Sequence, residues 1–394
     1  MKLDHRVPAA LALLALAACN MERTTTAPLM NDHPAASLSR DASIGGDDVN
    51  DDSPGVVFTL SNQVAGNAVL AFRRHADGSL TADGSYATNG TGSGAGLGSQ
   101  NALAYSPDGS LLFAVNAGSN TVSAFRVHDD NLTLVSTVAS GGTHPISVTA
   151  SGGLLYVLND GGTGNIAGLH YTRDGKLSPI AGSSRALSSS SAGPAEVQFA
   201  LDGTRLIVSE KNTNVIGAFD VNADGVASAG VFAPSSGRTP FGFVVRGEDI
   251  IIAEAFGGGA NASAASSYRI GDTGPVSLIS GSVHTTETSA CWIAVTGNGK
   301  YAYSANTGSG TISGFGVARN GALTLLDANG ETAVFGAGTA PADLAVSHNS
   351  QFLYSRNGGA HAIGVARIHG DGSLTVLSGG ITGLPTGTVG LAAR

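Results

Sequence analysis

A chain of 394 residues with 57 glycines and only 12% charged residues has the makeup of a turn-rich β protein, because glycine supplies the positive-φ conformations that tight turns need. Its net charge of −9 argues against a grip on the phosphate backbone of nucleic acid. Past the N-terminus no apolar run is long enough to span a membrane.

Residues 1–19 read as an export signal. Lys2 and Arg6 form a positive start, and Pro8 to Ala18 is an apolar run too short for a transmembrane helix. It ends in Leu16-Ala17-Ala18-Cys19, which resembles a bacterial lipobox and makes Cys19 the expected lipidation site. Asn20 does not match the Asp signal that retains some lipoproteins in the inner membrane, so the expected location is the outer membrane, facing the periplasm. Residues 20–54 have no apolar periodicity and carry acidic pairs at Asp47-Asp48 and Asp51-Asp52, as a flexible tether would.

From Gly55 to the C-terminus the sequence repeats. Seven turn phrases recur: DGSLT (77–81), DNLTL (130–134), DGKLS (174–178), DGVAS (224–228), TGPVS (273–277), NGALT (320–324) and DGSLT (371–375). Each follows an alternating strand such as TVSAFRV or VIGAFDV, and Asp-Gly or Asn-Gly between such runs signals a hairpin. A second series of apolar strands ends at Asn62, Asn116, Asn159, Glu210, Glu254, Asn306 and Asn357, spaced by about 49 residues, the length of a propeller blade. A third series, including PISVTASGG (145–153) and AEVQFALDG (195–203), supplies innermost strands. The chain enters at a second strand, VVFTLS (56–61), and ends in a lone innermost-type strand, TVGLAAR (388–394). An all-β ring of seven four-stranded antiparallel blades over 55–394 follows, closed where the last strand completes the first blade and thereby removes exposed sheet edges.

In such a ring the positions Asn62 to Asn357 share one face with the loops entering the innermost strands, which carry His144, Arg238, His284 and Glu287. Asparagine suits turns there, since it tolerates positive φ and bonds nearby backbone. Glu210 and Glu254, on adjacent blades, lack that advantage; they read either as solvated carboxylates or as functional ones. His144, beside Pro145, is a turn residue or a catalyst. Asn159, Asn306 and His284 are further binding candidates. The Gly-rich run GTGSGAGLG (90–98) sits between blade strands and reads as a loop, not a dinucleotide site. Cys291 and Trp292 open an inner strand and read by default as core residues, with lining of the channel as the alternative for Trp292. No metal motif of useful spacing occurs.

The phrases SPDGSLLFAVNAGSNTVSAFRV (106–127), LDGTRLIVSEKNTNVIGAFDV (201–221) and GNGKYAYSANTGSGTISGFGV (297–317) resemble the bacterial lactonase propellers, the group of 6-phosphogluconolactonase and carboxy-cis,cis-muconate cyclase. The resemblance implies a functional Glu at the end of a second strand, matched by Glu210. The family's His two residues after a Pro falls on Ser147, with His144 just before Pro145 instead. Its Gly-Pro-Arg-His phrase reads Gly193-Pro194-Ala195-Glu196, and its Asn-Arg reads Asn306-Thr307.

Three functions stay open on these residues. One is hydrolysis of a sugar lactone or similar cyclic ester by a monomeric enzyme of the cell envelope, with Glu210 or His144 as general base and Arg238 at the oxyanion. Another is a non-catalytic scaffold that binds a ligand or a protein partner, tethered to the membrane by its lipid alone. The third is a metal-assisted hydrolase in which Glu210, Glu254 and ring asparagines hold a divalent cation; the other two need no cofactor.

Overall fold

A computed structural model describes residues 55–128 and 130–394. The signal segment, Cys19 and the tether lie outside them.

Seven antiparallel sheets form the ring. Blade 4 shows the plan: Pro194–Ala200 is innermost, Arg205–Glu210 and Val215–Asp220 follow, and Val231–Pro234 is outermost. Blades 2, 3, 5, 6 and 7 begin with innermost strands Leu103–Tyr105, Pro145–Ser151, Pro240–Arg246, Ala290–Val295 and Pro341–Val346. Blade 1 is split as its sequence requires. Gly55–Leu60 is its second strand, and Val389–Ala393 pairs antiparallel inside it, matching Val57 with Ala393 and Phe58 with Ala392. The junction is reinforced by Thr59, whose Oγ1 donates to the Gly390 carbonyl at 2.6 Å.

Second strands are wedged between neighbouring sheets. Leu111–Asn116, Arg205–Glu210 and Asp249–Glu254 are buried along their whole length, so they read as continuous apolar runs. The recurring turn glycines explain how blades touch. The residue that opens a second strand packs on the outer turn of the next blade: Phe352 on Gly78, Leu154 on Gly225, Tyr301 on Gly372. These glycines have φ between +77° and +88°, and a Cβ would overlap the seated side chain. Tyr156, Tyr303 and Tyr354 add a hydroxyl bond to the carbonyls of the same glycines, Gly225, Gly372 and Gly78, at 2.8–2.9 Å.

Innermost strands are bulged soon after they enter the ring, between Pro145 and Ser147, Pro194 and Glu196, Pro240 and Phe243, Ala290 and Trp292, and Ala342 and Leu344. A bulge resets which side chains face the axis.

Candidate functional site

The Gly-rich run is a loop, and it fills the axis of the ring. Leu97, Ser99 and Gln100 are buried. Gln100 reaches across to blades 5 and 6: its Nε2 donates to the carbonyls of Phe243 and Ile293 at 3.2 and 2.9 Å, and its Oε1 accepts from the Ile293 amide at 3.0 Å. Only a glycine fits at 242, where a Cβ would overlap Gln100 Oε1. Trp292 Nε1 donates to the Ser99 carbonyl at 2.8 Å, and Ser99 Oγ to the Ile146 carbonyl at 2.8 Å. The Gln100 amide also donates to the Ala195 carbonyl of blade 4 at 3.1 Å, so segment 97–101 is a plug bonded to blades 3, 4, 5 and 6.

Ionisable groups surround this plug. Glu196 is fully buried and accepts from Asn101 Nδ2 and Gln198 Nε2, both at 2.6 Å, and from the Phe243 amide at 2.5 Å. Burial pushes its carboxyl well above the ordinary range, the Phe243 amide and Gln198 oppose that, and nearby Asp343 adds to it. Asp343 is pushed up to about 7 by burial, against the pull of the Arg356 guanidinium and the amides of Leu344 and Gly390. Lys211 Nζ donates to the Gly98 carbonyl at 2.5 Å and lies 4.8 Å from the centre of the Phe241 ring. Burial lowers its ammonium to about 8, partly offset by Asp160.

Lys211 also reaches the floor of a cleft of about 210 Å³ on the upper face, between blades 3 and 4. Leu97 and Leu187 give it apolar surface; Asp160, Thr163, Ser191 and Asn212 give it polar groups. One wall, residues 187–193, is latched to the turn that carries Lys211. The Lys211 and Asn212 amides donate to the carbonyls of Gly193 and Ala192, both at 3.0 Å, and Asn212 Nδ2 donates to the Ser191 carbonyl at 3.1 Å.

Glu210 belongs to that latch. Its Oε1 accepts the Ser188 amide at 2.9 Å; its Oε2 accepts the Ser188 hydroxyl and, at 2.6 Å, the Thr213 hydroxyl. The carboxylate is fully buried and does not line the cleft. Glu254 repeats the arrangement in blade 5, accepting the Gly237 amide at 2.8 Å and the hydroxyls of Ser266 and Ser282 at 2.6 and 2.7 Å. At these two ring positions a longer acid reaches the amide of the adjoining loop, which accounts for glutamate where other blades have asparagine. Asn306 bonds Thr311 and Ser313 within its own blade, and Asn159 Nδ2 reaches the Ser140 carbonyl at 3.4 Å; both side chains are buried.

His144 is half-buried with φ of +55°, and its carbonyl accepts the Asp160 amide at 3.0 Å, which sets it behind the cleft's carboxylate. Arg238 is exposed on the loop between blades 4 and 5. His284 is exposed at the end of blade 5, its ring 5.4 Å from that of Phe256, and Glu287 Oε2 accepts from Thr311. No contact joins Glu210, His144 and Arg238 among the described residues. Nor is any group of three or more His, Cys, Asp and Glu side chains placed there to share a metal ion. Lys211, Asp160, Glu196 and Asp343 were not singled out in the sequence; Lys211, a lysine at the end of a buried strand, was the one visible signal.

Comparison with known proteins bears on this geometry. Residues 60–186 match the family model for "Lactonase, 7-bladed beta-propeller". No curated protein matches. Among solved structures, a Bacteroides fragilis protein with the provisional name 6-phosphogluconolactonase is 19% identical, with TM-score 0.65 over 88% of this chain and 99% of its own. The periplasmic gluconolactonase PpgL of Pseudomonas aeruginosa is 17% identical, with TM-score 0.67 over 86% and 99%. A Sulfolobus tokodaii protein named a hypothetical selenium-binding protein is 10% identical, with TM-score 0.58 over 86% and 93%. At such identities the likeness is one of fold. The sequence match over the first three blades, together with a ring of seven blades closed through the first, makes the chain similar to the lactonase seven-bladed β-propellers.

Proposed function

We propose that the chain hydrolyses a small cyclic ester of the sugar-lactone kind in the upper cleft between blades 3 and 4. The observation that carries this reading is Lys211, a buried ammonium at the floor of a cleft the size of one sugar ring, opposite the carboxylate of Asp160. A lactone seated against Leu97 and Leu187 would direct its carbonyl oxygen at Lys211, whose positive charge stabilises the oxyanion as water adds to the carbonyl carbon. Asp160 takes the proton from that water, the ring C–O bond breaks, and the proton passes to the departing alkoxide. Glu210 is assigned a positioning role through Ser188 and the cleft wall, in place of the general base expected from the sequence. Arg238 and His144 sit outside this set.

The test is a pH-indicator assay of the full chain on a panel of aldonolactones, beside Lys211→Met, which keeps the length and removes the charge. Turnover is expected to fall by about 10²–10³ in Lys211→Met, the cost of losing one oxyanion donor. In the wild type it should fall as pH rises through about 8 and Lys211 loses its proton. A folded wild-type chain that binds aldonolactones or aldonates but turns none over supports a binding module instead, the reading favoured by the sealing of Glu210. The lipobox-like run ending at Cys19 supports an envelope-bound location for either activity.

A further inference from the structure

On the lower face, the joint between blades 5 and 6 differs from the joints with apolar seats. Blades 3, 6 and 7 open their second strands with Leu154, Tyr301 and Phe352, each seated on the turn glycine of the next blade. Blade 5 opens with Asp249, whose Oδ2 lies 2.7 Å from where a Cβ on Gly321 would stand. Asp249 is only 4% exposed. It is neutralised by Arg246 at 3.3 Å and Arg269 at 2.6 Å. A buried carboxylate with two guanidiniums carries a desolvation penalty that an apolar seat avoids, so stability alone does not favour it.

The same arginines, with Arg319, line an open cleft of about 430 Å³. Its far side is the hairpin turn of blade 6. There Gly299, at φ +67°, leaves room for Arg246, whose Nε would stand 2.7 Å from a Cβ. Asn298 uses its Oδ1 to accept from the Lys300 amide at 3.0 Å and Thr296 Oγ1 at 2.8 Å, which leaves its amide group as a donor. The Nη1 of Arg269 is matched only by Glu248 at 3.1 Å, and both side chains are well exposed, so water screens that pair and little holds it together. Arg319 has no ion-pair or hydrogen-bond partner among the described residues.

We propose that this cleft binds a small oxyanion, a phosphate or carboxylate group, between Arg269 and Arg319 with Arg246 behind them. Planar guanidinium forks suit the paired oxygens of either group. Glu248 acts as the internal competitor: the ligand takes its place on Arg269, while buried Asp249 stays to fix the two inner arginines. This is a second site. It lies on the opposite face from the upper cleft, shares no residue with it, and the plug at 97–101 closes the axis between them.

The full chain is titrated with inorganic phosphate and, separately, with gluconate, each against chloride at matched ionic strength, following the melting temperature. The wild type should show a saturable rise beyond chloride with at least one anion, and the anion that saturates at lower concentration identifies the preferred group. Arg319→Ala, an exposed change that leaves the buried joint intact, should lose that saturable part. Glu248→Gln should saturate at severalfold lower concentration. A wild-type response no larger than chloride's would overturn the proposal, as would an undiminished saturable rise in Arg319→Ala, which for gluconate would point to the upper cleft.

Discussion

Asp343 and Lys211 both carry pKa values moved by burial, with opposite consequences for stability. The Asp343 carboxyl releases its proton near 3.8 in an unfolded chain and near 7 in the ring. Between those values the native state binds more protons, so this group makes stability fall as pH rises. Asp343→Asn removes the titration while keeping the shape and the acceptor for Leu344 and Gly390. Its melting temperature should therefore decline less than the wild type's across that window, with a residual slope from Glu196, whose raised pKa acts in the same sense. Parallel curves, measured by calorimetry, would show that Asp343 is not titrating there. Lys211 has the reverse sign: its ammonium is destabilised in the native state, and that cost is relieved as pH rises through about 8. A buried cation kept at such a cost, in a cleft, is the pattern expected of a working residue. It was hard to see in the sequence because Glu210 beside it matched the family's functional residue, and one position along a strand decides which side chain seals a latch and which enters a cleft.

Turns and strands were legible wherever a local rule governs them. The Asp-Gly and Asn-Gly phrases marked hairpins, and the innermost strands fell where apolar runs followed the loops. What could not be read was the bulge at the head of five of the inner strands, which depends on contacts with the plug and the neighbouring blade. Those bulges bring Glu196 and Asp343 to the axis, from blades 4 and 7, and no spacing in a single repeat reveals such a meeting. The turn glycines had two readings, freedom of φ and room for a neighbour, and the structure separates them. Gly78 has φ +88° and Phe352 seated against it; Gly109 has φ +67° and open space around it. Replacement by alanine should cost each about 1–2 kcal/mol in left-handed strain. Gly78→Ala should lose about 1–3 kcal/mol more, because the Phe352 ring must shift in a packed joint. Chemical denaturation of the two variants tests this, and equal losses would mean that the joint is soft and the glycines serve the turn alone.

The whole ring depends on one closure. Blade 1 has its second, third and outer strands at the start of the propeller and its innermost strand at the very end, so the first and last segments fold against each other or the ring stays open. The closing strand buries Val389 and Leu391, and its approach is fixed by bonds to blade 1: Asn62 Nδ2 to the Gly387 carbonyl at 3.0 Å, Gln63 Nε2 to the Thr386 carbonyl at 2.6 Å, and the Arg394 amide to the Val56 carbonyl at 2.9 Å. Removing residues 385–394 would strip those bonds, leave the inner edge of Gly55–Leu60 unpaired and take away two core side chains worth about 1.5–3 kcal/mol each. Such an edge is a template for another chain. The truncated protein should melt at lower temperature and elute as dimers or larger species, and a synthetic peptide of residues 385–394 added in trans should restore both the melting temperature and the elution volume of the intact chain. Rescue by the peptide separates loss of closure from general misfolding. A truncated chain that stays monomeric and melts unchanged would mean instead that interblade packing holds the ring without its clasp, and the seated glycines and tyrosine bonds of the other joints would then be the main source of its stability.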